Sequence, residues 1–108
     1  MPWYIYLLTF IAGAFAANAV PHLVQGMSGN RFQTPFASPS GVGESSALVN
    51  VLWGAANVAI AGALLHFILP PEFPPPPSLC IAGGIGALIS AIFMALHFGK
   101  VRNAGPRP

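Results

Sequence analysis

Six polar side chains fall at helical spacing inside otherwise apolar stretches, and these are the positions at which chemistry is conceivable. Asn18 and His22 are four residues apart, Asn50 and Asn57 seven, and Ser90 and His97 seven, so each pair shares one face of a helix. Two readings follow. In the structural one, the asparagines hydrogen-bond between helices and the histidines meet interfacial water. In the functional one, the same groups form a proton or ion relay, a quinone-binding edge, or a metal or haem site on His22 and His97, because neutral imidazole ligates transition metals and titrates near neutral pH. No HxxxH or HExxH pair occurs, so the structural reading leads and no cofactor is expected. His66 lies at the opposite end of its stretch. Cys80 is the lone cysteine, which excludes an intramolecular disulfide; it reads as a small apolar filler. The chain contains no Asp, so no Ser-His-Asp set can be assembled. The spacing gives no reason for His22 to activate a serine with Glu44 as its orienter. No catalytic residue is expected, and the non-enzyme reading leads.

The elements that must position these groups are set by composition. Of 108 residues, 55% are hydrophobic and 6% charged, with four Lys+Arg, two Asp+Glu and a formal net charge of +2. A soluble domain of this size carries about a quarter charged residues. So few charges cannot cover a water-facing surface, which argues against an ordinary soluble enzyme. They also form no basic cluster, so no nucleic-acid partner is expected. Residues 1–30, 45–71 and 73–99 lack Asp, Glu, Lys and Arg altogether. Each holds a segment near the roughly 20 residues needed to cross a bilayer.

The pattern predicts an all-α integral membrane protein, a single domain over 1–108, with three transmembrane helices near 3–23, 46–69 and 78–99. Pro21 is placed to bend or end the first span. Ser45 or Ser46 is placed to cap the second, and Pro70-Pro71 to stop it. Ser78 is placed to cap the third, and Gly99 followed by Lys100 to end it, leaving a tail at 100–108. The small-x-small run Ala17-Asn18-Ala19 resembles a signal-peptide cleavage site, but no Lys or Arg precedes the first apolar stretch, so a retained helix is expected.

Arg31 follows the first span, and Lys100, Arg102 and Arg107 follow the third, whereas Glu72 stands alone on the other side. The positive-inside rule then predicts a bacterial-type inner membrane protein with its N-terminus outside and its C-terminus cytoplasmic. Trp3, Tyr4 and Tyr6 would form an outer interfacial belt. Glu72 to Pro77, with four consecutive prolines, would form a stiff outer hairpin between the second and third spans.

Small residues recur along each span: Gly13 and Ala17 on the first, Ala55, Ala59 and Ala63 on the second, and Gly83, Ala87 and Ala91 on the third. Such stripes let helix backbones approach, either within the chain or against another subunit. The loop 24–45 is polar but carries Phe32 and Phe36, which a mere linker does not need. Its expected roles are to fold over the helix ends, to dock a partner or to contact lipid, with Arg31, Phe32, Phe36 and Glu44 as the contact residues. Arg31 would hold a lipid phosphate or pair with Glu44.

Very small multidrug exporters resemble this chain in length only. They have four spans and a glutamate in the first, and neither is present. The leading expectation is a small accessory or structural subunit of a larger membrane complex, partnered by lipids and by other integral subunits or copies of itself. The alternative is a homo-oligomeric channel or transporter for a small solute, its path running past Asn18, Asn57, Ser90 and the histidines.

Overall fold

A computed structural model describes residues 1–103, so the expected role of Arg107 in the tail lies outside the described residues. Three helices, α1 (Trp3–Met27), α2 (Ala47–Ile68) and α3 (Pro77–Arg102), are each long and apolar enough to cross a membrane. The chain is thus an all-α domain consistent with a multi-pass membrane protein.

Their ends differ from expectation at three places. First, α1 runs through Pro21 and stops only at Met27. In apolar surroundings a helix tolerates the lost donor when neighbouring helices flank the freed carbonyl. The true stop is a Schellman arrangement on Gly29, whose φ of 80° a side chain would resist. Gly29 N–H donates to Gly26 O and Asn30 N–H to Gln25 O. Second, Pro77 rather than Ser78 opens α3, since a proline at the first helical position lacks only an N–H that would have no partner anyway. Ser78 Oγ instead lies 3.3 Å from Tyr6 Oη of α1. Third, Gly99 does not end α3, which continues to Arg102. Ser46 does cap α2, accepting from Val49 N–H at 3.2 Å.

The central helix is α1. Both α2 and α3 pack along it, and they barely touch each other. The connection after α2 therefore does not fold two neighbouring helices into a hairpin, as the proline run suggested. It carries the chain from one flank of α1 to the other. An extended proline run rises roughly 3 Å per residue, so Leu69–Pro76 has reach enough for two helix spacings of about 8–10 Å each.

Different chemistry holds the two flanks. Against parallel α3, backbone meets backbone: a Cβ on Gly13 would collide with the Gly83 carbonyl, and one on Gly86 with the Phe10 carbonyl. Against antiparallel α2, side-chain amides carry the contact, with Gly54 admitting Leu23 and Gly26 admitting Val51. The face that α2 buries is Asn50, Gly54, Asn57 and Ala61. The stripe Ala55, Ala59 and Ala63 is exposed instead, as is Ala91, and Ala87 is half-buried. The asparagines decide the rotation: turning the alanines inward would turn two amides into lipid, which offers them no partner.

The loop between α1 and α2 closes on itself as a two-stranded antiparallel hairpin, β1 (Phe32–Gln33) with β2 (Glu44–Ser45), in register Phe32 to Ser45 and Gln33 to Glu44. Its residues Phe32, Gln33 and Thr34 are buried.

The glycine contacts make a paired prediction. Gly86→Ala must push α3 away from α1, losing about 1–3 kcal/mol. Gly62→Ala, whose Cβ meets nothing within 4 Å, gains up to about 1 kcal/mol from helix propensity. Detergent-titration unfolding of the two variants measures both, and equal behaviour would contradict the close α1–α3 approach.

Candidate functional site

Asn18, His22, Asn50, Asn57, Ser90 and His97 gather toward the end capped by the β1–β2 hairpin. Asn50 is their hub. It is fully buried, and its Nδ2 donates to the carbonyls of Phe32, Ser45 and Ser46 at 3.1, 3.2 and 3.0 Å. Three acceptors around the nitrogen fix the amide's orientation. Oδ1 then faces His22 Nδ1 at 2.8 Å, so that nitrogen must carry the proton. In the neutral ring Nε2 is left as an acceptor, and no described residue bonds to it.

One turn along, Asn18 Nδ2 donates to Asn57 Oδ1 at 3.0 Å, and Asn57 Nδ2 donates to the Trp53 carbonyl at 2.8 Å. Asn18 Oδ1 is left with no bond to a described residue. From α3, His97 Nε2 lies 2.7 Å from the Gly41 carbonyl and must donate to it, tying the hairpin to α3. Thus His22 and His97 each already commit one nitrogen to protein.

Aromatic rings enclose His22. Phe32, Trp53 and Phe98 meet it edge-on with centroids 5.5, 6.4 and 6.3 Å away. Phe32 is only 4% exposed, so it plugs the helix ends rather than anchoring the loop in lipid or on a partner. The Arg102 guanidinium lies 4.7 Å over its ring, donates to Gln33 Oε1 at 3.0 Å and meets Glu44 Oε2 at 3.5 Å. The expected Arg31–Glu44 ion pair is therefore not formed. Arg31 donates to the Glu44 backbone carbonyl at 3.2 Å while the carboxylate goes to Arg102. The continuation of α3 past Gly99 makes this possible, since it brings Arg102 beside the hairpin. Phe36 stays exposed, with its ring edge-on to Trp53 at 4.9 Å.

Between α2 and α3, over α1, lies a cavity of about 310 Å³ whose lining includes Asn18, His22, Thr34, Trp53, Ser90 and His97. A second cavity of about 250 Å³ continues along α1 and shares Asn18, Trp53 and Ser90 with the first. Five of the six polar positions singled out from sequence line this groove, and Asn50 supports it from behind. Sequence reasoning passed over Trp53. Its indole Nε1 is buried and has no hydrogen-bond partner. A Trp four residues before an intramembrane Asn on the same helix face was the available signal. His66 packs only against Phe67, at the far end of α2. No group of three or more metal-ligating side chains occurs among the described residues.

No protein family, curated protein or solved structure matches this chain.

The hub predicts an order of damage. Asn50→Leu strands the His22 Nδ1–H and takes a donor from the Phe32 and Ser45 carbonyls, while the Ser46 carbonyl keeps the backbone N–H of residue 50, costing about 1–3 kcal/mol. Asn18→Ala removes one interhelical bond from a half-buried position and costs less than about 1 kcal/mol. Thermal unfolding in detergent ranks the two, and the reverse order would remove Asn50 from its central place.

Proposed function

We propose that this chain is a small accessory subunit of a larger membrane assembly, which it serves by packing and bracing partner subunits rather than by chemistry of its own. The observation that carries this reading is the placement of polarity. Asn18, His22, Asn50, Asn57 and His97 bond to one another and to the hairpin at one end of the fold. Between that cluster and the Tyr6–Ser78 hydroxyl pair at the other end, the α1–α3 contact is glycine against backbone. Among the described residues a single chain therefore offers no continuous polar track from end to end, which weighs against the channel or transporter alternative. The exposed stripe Ala55, Ala59 and Ala63 supplies a smooth face on which another helix can sit closely.

The proposed setting is a bacterial-type inner membrane. The loop with Arg31, and Lys100 and Arg102 at the end of α3, lie toward the cytoplasm, and the Glu72 connection lies outside. Arg102, Glu44 and Gln33 cluster at one end of the molecule, in keeping with a single wet face there.

Two measurements test this. Extraction from native membranes in gentle detergent, followed by mass spectrometry of the intact complex, should return unlike chains in a fixed ratio. Ala59→Phe should lose them without lowering the melting temperature. Recovery of a symmetric homo-oligomer alone would overturn the proposal and favour the channel reading. Separately, a C-terminal alkaline phosphatase fusion should be inactive in cells, and an active fusion would reverse the orientation.

A further inference from the structure

We propose that the trough between α1 and α3 seats an acyl chain of an anionic phospholipid, with the lipid phosphate at Arg102. This goes beyond the accessory-subunit reading and needs only that the helices stand in a bilayer.

The trough has a volume of about 520 Å³ and is walled by Ala17 and Val20 of α1 and by Ala91, Ala95, Gly99 and Arg102 of α3. Arg102 and Asn103 are its only polar lining residues, and both lie at one end. Ala91, Ala95 and Gly99 stand four apart and leave the trough open along its length; all three are exposed, as is Val20. From Ala91 to Arg102 α3 rises about 16 Å. Half of a bilayer's hydrocarbon core is roughly 15 Å thick. The trough therefore has the depth of one leaflet, apolar throughout and charged where head groups begin. A polar cleft of about 600 Å³ continues past that end, with Gln33, Glu44 and Arg102 in its walls. Arg102 lines both spaces and is the one charged side chain lining the trough.

The Arg102 guanidinium is only partly spent. It lies over the Phe32 ring, and its Nη1 donates to Gln33 Oε1 and, at a long 3.5 Å, to Glu44 Oε2. Nε and Nη2 bond to no described residue. That edge carries the parallel N–H pair that phosphate oxygens accept bidentately. The side chain is 35% exposed, so a head group can reach it. The surrounding charge favours an anion: Arg31, Lys100 and Arg102 stand at this end against Glu44 alone among the described residues. Basic residues at this level attract anionic lipid. A lipid is preferred to a neighbouring helix because one molecule supplies both the apolar tail and the anion at the required height.

The test uses the full chain, ¹³C-labelled at its alanine methyls, in phosphatidylcholine nanodiscs into which guest lipids of matched chains are titrated. Phosphatidylglycerol should shift the Ala91 and Ala95 methyls saturably and leave Ala55 and Ala59, exposed on α2, in place. Phosphatidylethanolamine, zwitterionic like the host, and water-soluble glycerol phosphate should leave all four in place. Arg102→Gln should weaken phosphatidylglycerol about 3- to 10-fold, with Arg102→Lys between, because an ammonium keeps the charge and loses the fork. Glu44→Gln breaks the same ion pair but frees the guanidinium, so it should tighten binding roughly 2-fold. Ala95→Phe should abolish the Ala91 shift by filling the trough, while its unchanged melting curve shows that the fold is kept. The proposal is overturned if phosphatidylethanolamine or glycerol phosphate reproduces the shift, or if the α2 methyls move alike. It is likewise overturned if Glu44→Gln weakens binding as Arg102→Gln does, which would make Arg102 a tie for the hairpin only. Binding that survives Ala95→Phe, or phosphatidylglycerol that moves no methyl, also overturns it, and the second result would leave the trough to a protein helix.

Discussion

A buried amide that must satisfy four partners at once organises one whole end of this protein. Asn50 holds α1 through His22 and both strands of the hairpin through the Phe32 and Ser45 carbonyls, while bonding back to Ser46 at the start of its own helix. Away from water the His22 Nδ1–H has no substitute partner, so turning the amide to repair one bond breaks the others. The hub fixes the rotation of α2 about its axis, the tautomer of His22 and the placement of the hairpin over the helix ends. Phe32 is then pressed against Phe98 at 4.6 Å and beneath Arg102.

The two flanks of α1 divide the work between specificity and proximity. Glycine contacts against α3 give close approach and dispersion but little directional information, because many registers of small residues pack comparably. Amide pairs against α2 are directional: sliding α2 by one residue along α1 would separate Asn18 from Asn57 and His22 from Asn50 together. Register set on one flank passes to the other, because the hairpin is tied to α3 by His97 at Gly41 and by Arg102 at Gln33. The loop thus acts as a clasp joining two helices that scarcely meet.

The spans could be read from sequence because lipid leaves so little choice: stretches free of charge and long enough to cross have few other homes. Ser46 as a cap was equally readable, since a hydroxyl before an apolar run satisfies a free N–H. What escaped was whatever depends on three dimensions. Pro21 looked like a stop because a lone helix would break there, and the flanking helices that accommodate it are not visible in one dimension. The alanine stripe of α2 looked like a packing face because its spacing of four is regular, whereas Asn50, Gly54, Asn57 and Ala61 alternate four and three. That alternation follows the true 3.6-residue turn, and a rule that admits no asparagine to lipid would have chosen it. Arg102 was assigned to a tail, so its competition with Arg31 for Glu44 could not be foreseen. Trp53 was passed over because an unpaired indole becomes visible only once its surroundings are built.

The groove between α2 and α3 follows from the same economy. Three helices in a row, with the middle one holding the other two, leave a trough on each face of the middle helix. On one face near the hairpin, the trough is floored by α1 residues whose polar halves are already engaged by α2. An asparagine that donates to its neighbour necessarily turns its oxygen elsewhere, and a histidine fixed through Nδ1 turns Nε2 elsewhere. The bonds that hold α1 to α2 therefore also determine which hydrogen-bonding groups remain unspent beside the gap. Helix contact and groove chemistry are in this respect two sides of the same four side chains, Asn18, His22, Asn50 and Asn57. A change that disturbs the helix contact must alter the character of the trough as well.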